Sequence, residues 1–122
     1  MPVIESATAR AFAVDWIDAW NARDLERVLA HYVEDVEFRS PFVISIAGEE
    51  SGVLKGKTRL RAYWKTALTM LPALRFELLD VLTGVDSLTI HYRGHRGRVT
   101  ETFLVDDARR VVAATACYET QA

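Results

Sequence analysis

One cysteine, three prolines and no apolar run of membrane length mark this 122-residue chain first by what it lacks. A lone Cys117 excludes an internal disulfide and any zinc site built from several thiolates, and it fits a reducing, cytoplasmic setting. The segment MPVIESATARAFAVDWIDAW is interrupted by Glu5, Arg10, Asp15 and Asp18. Neither a signal peptide nor a membrane span is expected there, so the reading is a cytoplasmic protein without membrane contact. An excess of one charge is also missing: 15 Lys and Arg stand against 17 Asp and Glu, a formal net charge of −2. A nucleic-acid backbone would find no basic footprint, which excludes nucleic acid as a partner. With no internal repeat, linker or low-complexity stretch, residues 1–122 read as one domain, long enough to bury roughly two-thirds of its unfolded surface.

What is present is clear periodicity. Ala9, Phe12, Ala13, Trp16, Ile17 and Trp20 form one stripe of a first helix. NARD (21–24) breaks it, Asp24 suits an N-cap, and Leu25, Val28, Leu29 and Tyr32 place a second stripe on a short helix. VEFRS (36–40) alternates as a strand with Val36, Phe38 and Ser40 on one face, and Pro41 ends it. The stretch to Gly56 reads as a long loop or ragged hairpin, a candidate lid. Leu60, Trp64, Ala67, Leu68 and Leu71 then define a third helix, stopped by Pro72. Strands are expected at roughly 74–83, 87–94, 97–106 and 110–119, divided by TGVD, GHRG and DDAR. Helices first and an antiparallel sheet last give an α+β class.

A tight turn at GHRG pairs Arg93 with Arg98, Tyr92 with Val99, Ile90 with Glu101 and Leu88 with Phe103. Leu88, Ile90, Tyr92, Val99, Glu101, Phe103 and Val105 then share the core face, while Thr89, His91, Thr100, Thr102 and Leu104 share the other. Across the last hairpin, Glu101 is expected opposite Ala113 or Ala114. An ionised, unpaired carboxylate in such company costs several kcal/mol, so Glu101 must be protonated, hydrogen-bonded or matched with a cation.

The order helix, helix, strand, loop, helix and four strands, with AWNARDLERVLAHYVEDVEFRSP (19–41), GVLKGKTRLRAYW (52–64) and ETFLVDDARRVVAATACYE (101–119), resembles the nuclear transport factor 2-like superfamily and its small SnoaL-like members. The resemblance spans essentially the whole chain. It implies a cone: a curved antiparallel sheet wrapped around three helices, with a pocket between the long helix and the concave face. The superfamily includes ketosteroid isomerases, scytalone dehydratase, epoxide hydrolases, polyketide cyclases and proteins without known chemistry, so fold alone decides little. Set against a ketosteroid isomerase, Trp16 falls where its helical tyrosine would be, Ser40 at the base aspartate, and Glu101 at the second acid. Only the last keeps its chemical kind. Trp16 donates but cannot accept a proton, and Ser40 has no neighbouring His or Lys to activate it, so the isomerase mechanism is not expected.

Glu101 is thus the candidate catalytic residue, or the principal polar contact of a pocket. The alternative is a structural ion pair or a solvated rim position. Trp16, Phe38, Trp64, Tyr92 and Phe103 are candidate ligand-binding aromatics, though aromatics at such spacing also make plain core. Ser40 could touch a ligand or cap local backbone. Asp80 joins Glu101 as a second pocket acid if RFELLDVL (75–82) runs without a bulge. His91 falls on the opposite face from Glu101, so a metal site of His91, His95 and Glu101 is not expected, nor is a cofactor. Arg93, Arg96 and Arg98 crowd a hairpin tip, where solvation is the commoner explanation and an anion the sharper one. The expected ligand is a small apolar molecule. The mixed face of Thr89, His91, Thr100, Thr102 and Leu104 points to a homodimer.

Overall fold

A computed structural model describes residues 2–120. Four helices, α1 (Ser6–Asn21), α2 (Leu25–Leu29), α3 (Pro41–Ala47) and α4 (Lys57–Met70), accompany six strands, β1 (Tyr32–Arg39), β2 (Val53–Lys55), β3 (Glu77–Gly84), β4 (Ser87–Gly94), β5 (Gly97–Val105) and β6 (Val111–Tyr118). The strands form one sheet in the order β2-β1-β6-β5-β4-β3. No helix among the described residues is long and apolar enough to cross a membrane.

The stripe on α1 is buried as its spacing requires: Ala9, Ala13, Trp16, Ile17 and Trp20 face the sheet. Asp24 caps α2, accepting from the Arg27 N–H at 3.1 Å. Tyr32, read as the end of that helical stripe, instead opens β1, with its side chain fully buried. The strand order in the sheet places β1, the first strand of the chain, beside β6, the last, and these two run parallel, with Phe38 opposite Ala114. The sheet is therefore mixed rather than wholly antiparallel.

The stretch after Pro41 is a fourth helix followed by a short strand, not a loop or hairpin. Ser40 caps α3 by accepting from the Phe42 N–H at 3.2 Å, and Pro41 occupies the first helical turn, where its missing N–H is no loss. Gly48 closes the helix in the left-handed conformation, φ +71°. A proline that ends one strand thus begins the next helix.

The β4–β5 ladder has the expected register, including Ile90 with Glu101 and Leu88 with Phe103. In the last hairpin Glu101 lies opposite Ala116, not Ala113 or Ala114. An irregularity between Leu104 and Val105, where Val105 pairs with Val111 across the Asp106–Arg110 turn, shifts the ladder. Because Ala116 is also small, the space beside the acid survives the shift.

Candidate functional site

Glu101 stands on β5 with strands on both sides, and it is 3 % exposed. Tyr92 on β4 and Tyr118 on β6 both lie opposite Val99, which makes them its diagonal neighbours on the two flanking strands. The Tyr92 side chain acts on the carboxyl from its flanking strand and favours the charged form. All four tyrosines of the chain, Tyr32, Tyr63, Tyr92 and Tyr118, feel its charge. Among the described residues no cation compensates for burial there: desolvation raises the Glu101 pKa to about 8, with the Tyr92 side chain opposing only in part. Burial, and then the negative charge that Glu101 can carry, push all four phenols upward. At neutral pH the cluster is predominantly protonated, a set of neutral hydroxyl donors in an apolar wall.

A cavity of about 350 Å³ opens beside this cluster. Its inner wall consists of buried residues: Trp16 and Trp20 from α1, Phe38 from β1, Tyr63, Trp64 and Leu68 from α4, and Tyr92, Val99 and Glu101 from the sheet. Exposed Ser45, Met70, His95 and Arg96 form its rim. Trp16 is fixed by donating from Nε1 to the Tyr32 hydroxyl at 3.0 Å and by stacking near Phe76, ring centroids 5.9 Å apart. The Trp20 ring meets Trp64 edge to face at 4.9 Å.

Of the candidate ligand-binding residues, Trp16, Phe38, Trp64 and Tyr92 line this cavity together with Glu101. Phe103 does not. It lies beneath the wall, fully buried against Phe12, Trp16 and Tyr32. Ser40 is also behind the wall, 4 % exposed, where its Oγ caps α3 by accepting from the Phe42 N–H. Asp80 is exposed, because β3 bulges between Leu78 and Asp80 and turns the acid away from the concave face. His91 pairs with Thr100 on the face opposite Glu101, and no group of three His, Cys, Asp or Glu among the described residues could hold a metal ion. His31 is outside the cavity lining and meets α1 at mid-helix, its Nε2 2.7 Å from Asp15 Oδ2.

Tyr63, Tyr118, Trp20, Phe42 and Phe76 are among the lining residues that sequence reasoning did not propose as ligand contacts, whereas Arg96 was singled out only as part of the charged hairpin tip. Tyr63 carries a usable signal, lying three residues after Leu60 on the same helical stripe. Tyr118 becomes visible from the parity of Ala114 and Ala116 once the register is correct.

A curved mixed sheet folded over helices is the architecture of the nuclear transport factor 2-like proteins. Residues 13–121 match the SnoaL-like domain model, and the chain belongs to that family. It is similar to the crystal structure of a SnoaL-like protein of unknown function from Burkholderia thailandensis E264, at 49 % identity over 96 % of this chain and 98 % of that one, TM-score 0.91. A putative polyketide cyclase from Sinorhizobium meliloti shares the fold at 14 % identity over 93 % and 100 % of the two chains, TM-score 0.71. An NTF2-like protein of unknown function from Cytophaga hutchinsonii shares it at 11 % identity over 92 % and 90 %, TM-score 0.67. No curated protein matches the sequence.

Proposed function

We propose that the chain, acting as a single domain, binds a small apolar, cyclic ligand bearing a carbonyl or hydroxyl oxygen, with protonated Glu101 as the hydrogen-bond donor to that oxygen. The observation that carries this reading is a carboxyl buried without a cation in the wall of an otherwise aromatic cavity. A donor of this kind polarises a carbonyl, and it can pass its proton to the oxygen as negative charge develops there. Proton transfer in an isomerase, lyase or cyclase type of reaction is therefore the second reading. The pKa of about 8, close to neutrality, favours it, as does a fold shared with a putative polyketide cyclase.

All three tryptophans of the chain line the cavity, so intrinsic fluorescence reports its occupation. Titration with the bicyclic ketone 1-decalone should change the emission saturably. In Glu101→Leu, with circular dichroism unchanged, the affinity should fall about fivefold, the value of one lost hydrogen bond of about 1 kcal/mol. Wild-type affinity should also decline as pH rises through about 8, because the ionised carboxylate no longer donates. An unchanged affinity in Glu101→Leu would remove the carboxyl from the site, and an unresponsive wild type would remove the ligand.

We further propose a homodimer formed through the outer sheet face. There Leu82, Leu104 and Val112 are exposed, and they flank the Thr89 and Thr102 hydroxyls, which bond each other at 2.8 Å. Light scattering at micromolar concentration should give twice the chain mass, and Leu104→Lys should shift the equilibrium to monomer. A monomer mass for the unaltered protein would end this claim.

A further inference from the structure

The three arginines of the β4–β5 hairpin are not equivalent. Arg93 faces Glu77 at 3.6 Å and Arg98 faces Glu119 at 2.8 Å, so both are matched by carboxylates on neighbouring strands. Arg96 makes no ion pair among the described residues. Its guanidinium lies over the Phe42 ring, 5.3 Å from the centroid. That ring is itself part of the cavity lining, held edge to face by Tyr118 at 4.6 Å. The tip cannot slide away easily: Gly94 pairs with Gly97 around a two-residue loop, and Gly97 has φ +102°, with the Glu119 carboxylate where a Cβ would stand. Arg96 is thus presented at the rim, and it is the only permanently cationic side chain among the described residues that line the cavity.

Glu101 and Arg96 therefore stand apart, the one in the buried inner wall and the other at the exposed rim. Four residues of extended strand separate Glu101 from Gly97, a span of about 13 Å, close to the length of two linked aromatic rings with a substituent at each end. The wall between them is aromatic and apolar. An anion at the inner end would surrender its hydration among groups that also disfavour the ionised form of Glu101, whereas at the rim it keeps access to water and meets a guanidinium. Planar two-point pairing suits a carboxylate best.

We propose that the ligand of this cavity is an elongated, flat organic acid, with a neutral oxygen at Glu101 and a carboxylate at the rim on Arg96. This assignment rests on the pocket reading above and specifies its ligand class. The test is calorimetric titration at pH 7 with 4′-hydroxybiphenyl-4-carboxylate and with the corresponding neutral carboxamide, which has the same shape. The carboxylate should bind the wild type roughly fivefold more tightly, as expected for a partly exposed ion pair of about 1 kcal/mol. In Arg96→Gln that preference should disappear, with the carboxylate and the carboxamide binding the variant equally. Equal affinities in the wild type, or a preference that survives in Arg96→Gln, would overturn the acid assignment and leave the cavity reading standing, since the carboxamide still binds. Failure of both compounds to bind the wild type would overturn the two together.

Discussion

Glu101→Gln is expected to make the protein more stable than wild type at pH 8 and nearly equal to it at pH 5. The folded carboxyl titrates at about 8 against 4.5 for the same group in an unfolded chain. A carboxyl whose folded pKa is raised favours the folded state when protonated, so its contribution is complete below about pH 4.5 and is lost as pH rises towards 8. Each unit of that interval costs about 1.4 kcal/mol, which places the total at several kcal/mol. Glutamine has the same shape and does not titrate, so the difference between the two proteins isolates this one group from every other acid in the chain. Urea denaturation at the two pH values measures it, and Glu101→Leu should be tolerated in the same experiment, because no cation is left unpaired. A glutamine variant that is less stable than wild type by the same amount at both pH values would mean that the carboxyl is ionised and paired.

Phe103→Ala should cost about 3–5 kcal/mol, enough to threaten a domain of this size. Its ring fills the space between Phe12, Trp16 and Tyr32 at zero exposure. Truncation leaves a cavity that the sheet backbone on one side and the α1 helix on the other cannot collapse to fill. Because Phe103 does not line the ligand cavity, the fraction that stays folded should bind 1-decalone as wild type does. Trp64→Ala, which opens the cavity wall itself, should weaken binding as well as stability. Urea midpoints combined with fluorescence titration separate the two effects. A Phe103→Ala protein of normal stability would contradict the packing described here, and one that stays stable but loses the ligand would return Phe103 to the site.

The distinction between Phe103 and Tyr92 shows where sequence reading reaches its limit. Both residues lie on the concave face by strand parity, and both are buried. Parity says which face a residue occupies, but the cavity covers only part of that face, and which part depends on how α1 and α4 cross it. The same limit applies to Ser40, which alternation turns inward but which the start of α3 holds outside the cavity lining as its N-cap. Asp80 was lost for a different reason: a bulge inserts one residue into a ladder, and nothing local in RFELLDVL marks where it falls.

The sequence by itself determined the α+β class, the α1 stripe, the register of the β4–β5 hairpin and the inward direction of Glu101. Each of these depends on a period of 3.6 or 2 within one element, or on one short turn, and so is written in neighbouring residues. Tertiary structure alone decided that β1 runs parallel to β6, that Glu101 meets Ala116, that Tyr92 and Tyr118 flank the acid on neighbouring strands and that Arg96 stands at the rim. Those outcomes depend on contacts between residues far apart in the chain. There the winning arrangement is set by how volumes and hydrogen bonds fit across elements, and no local period encodes that fit.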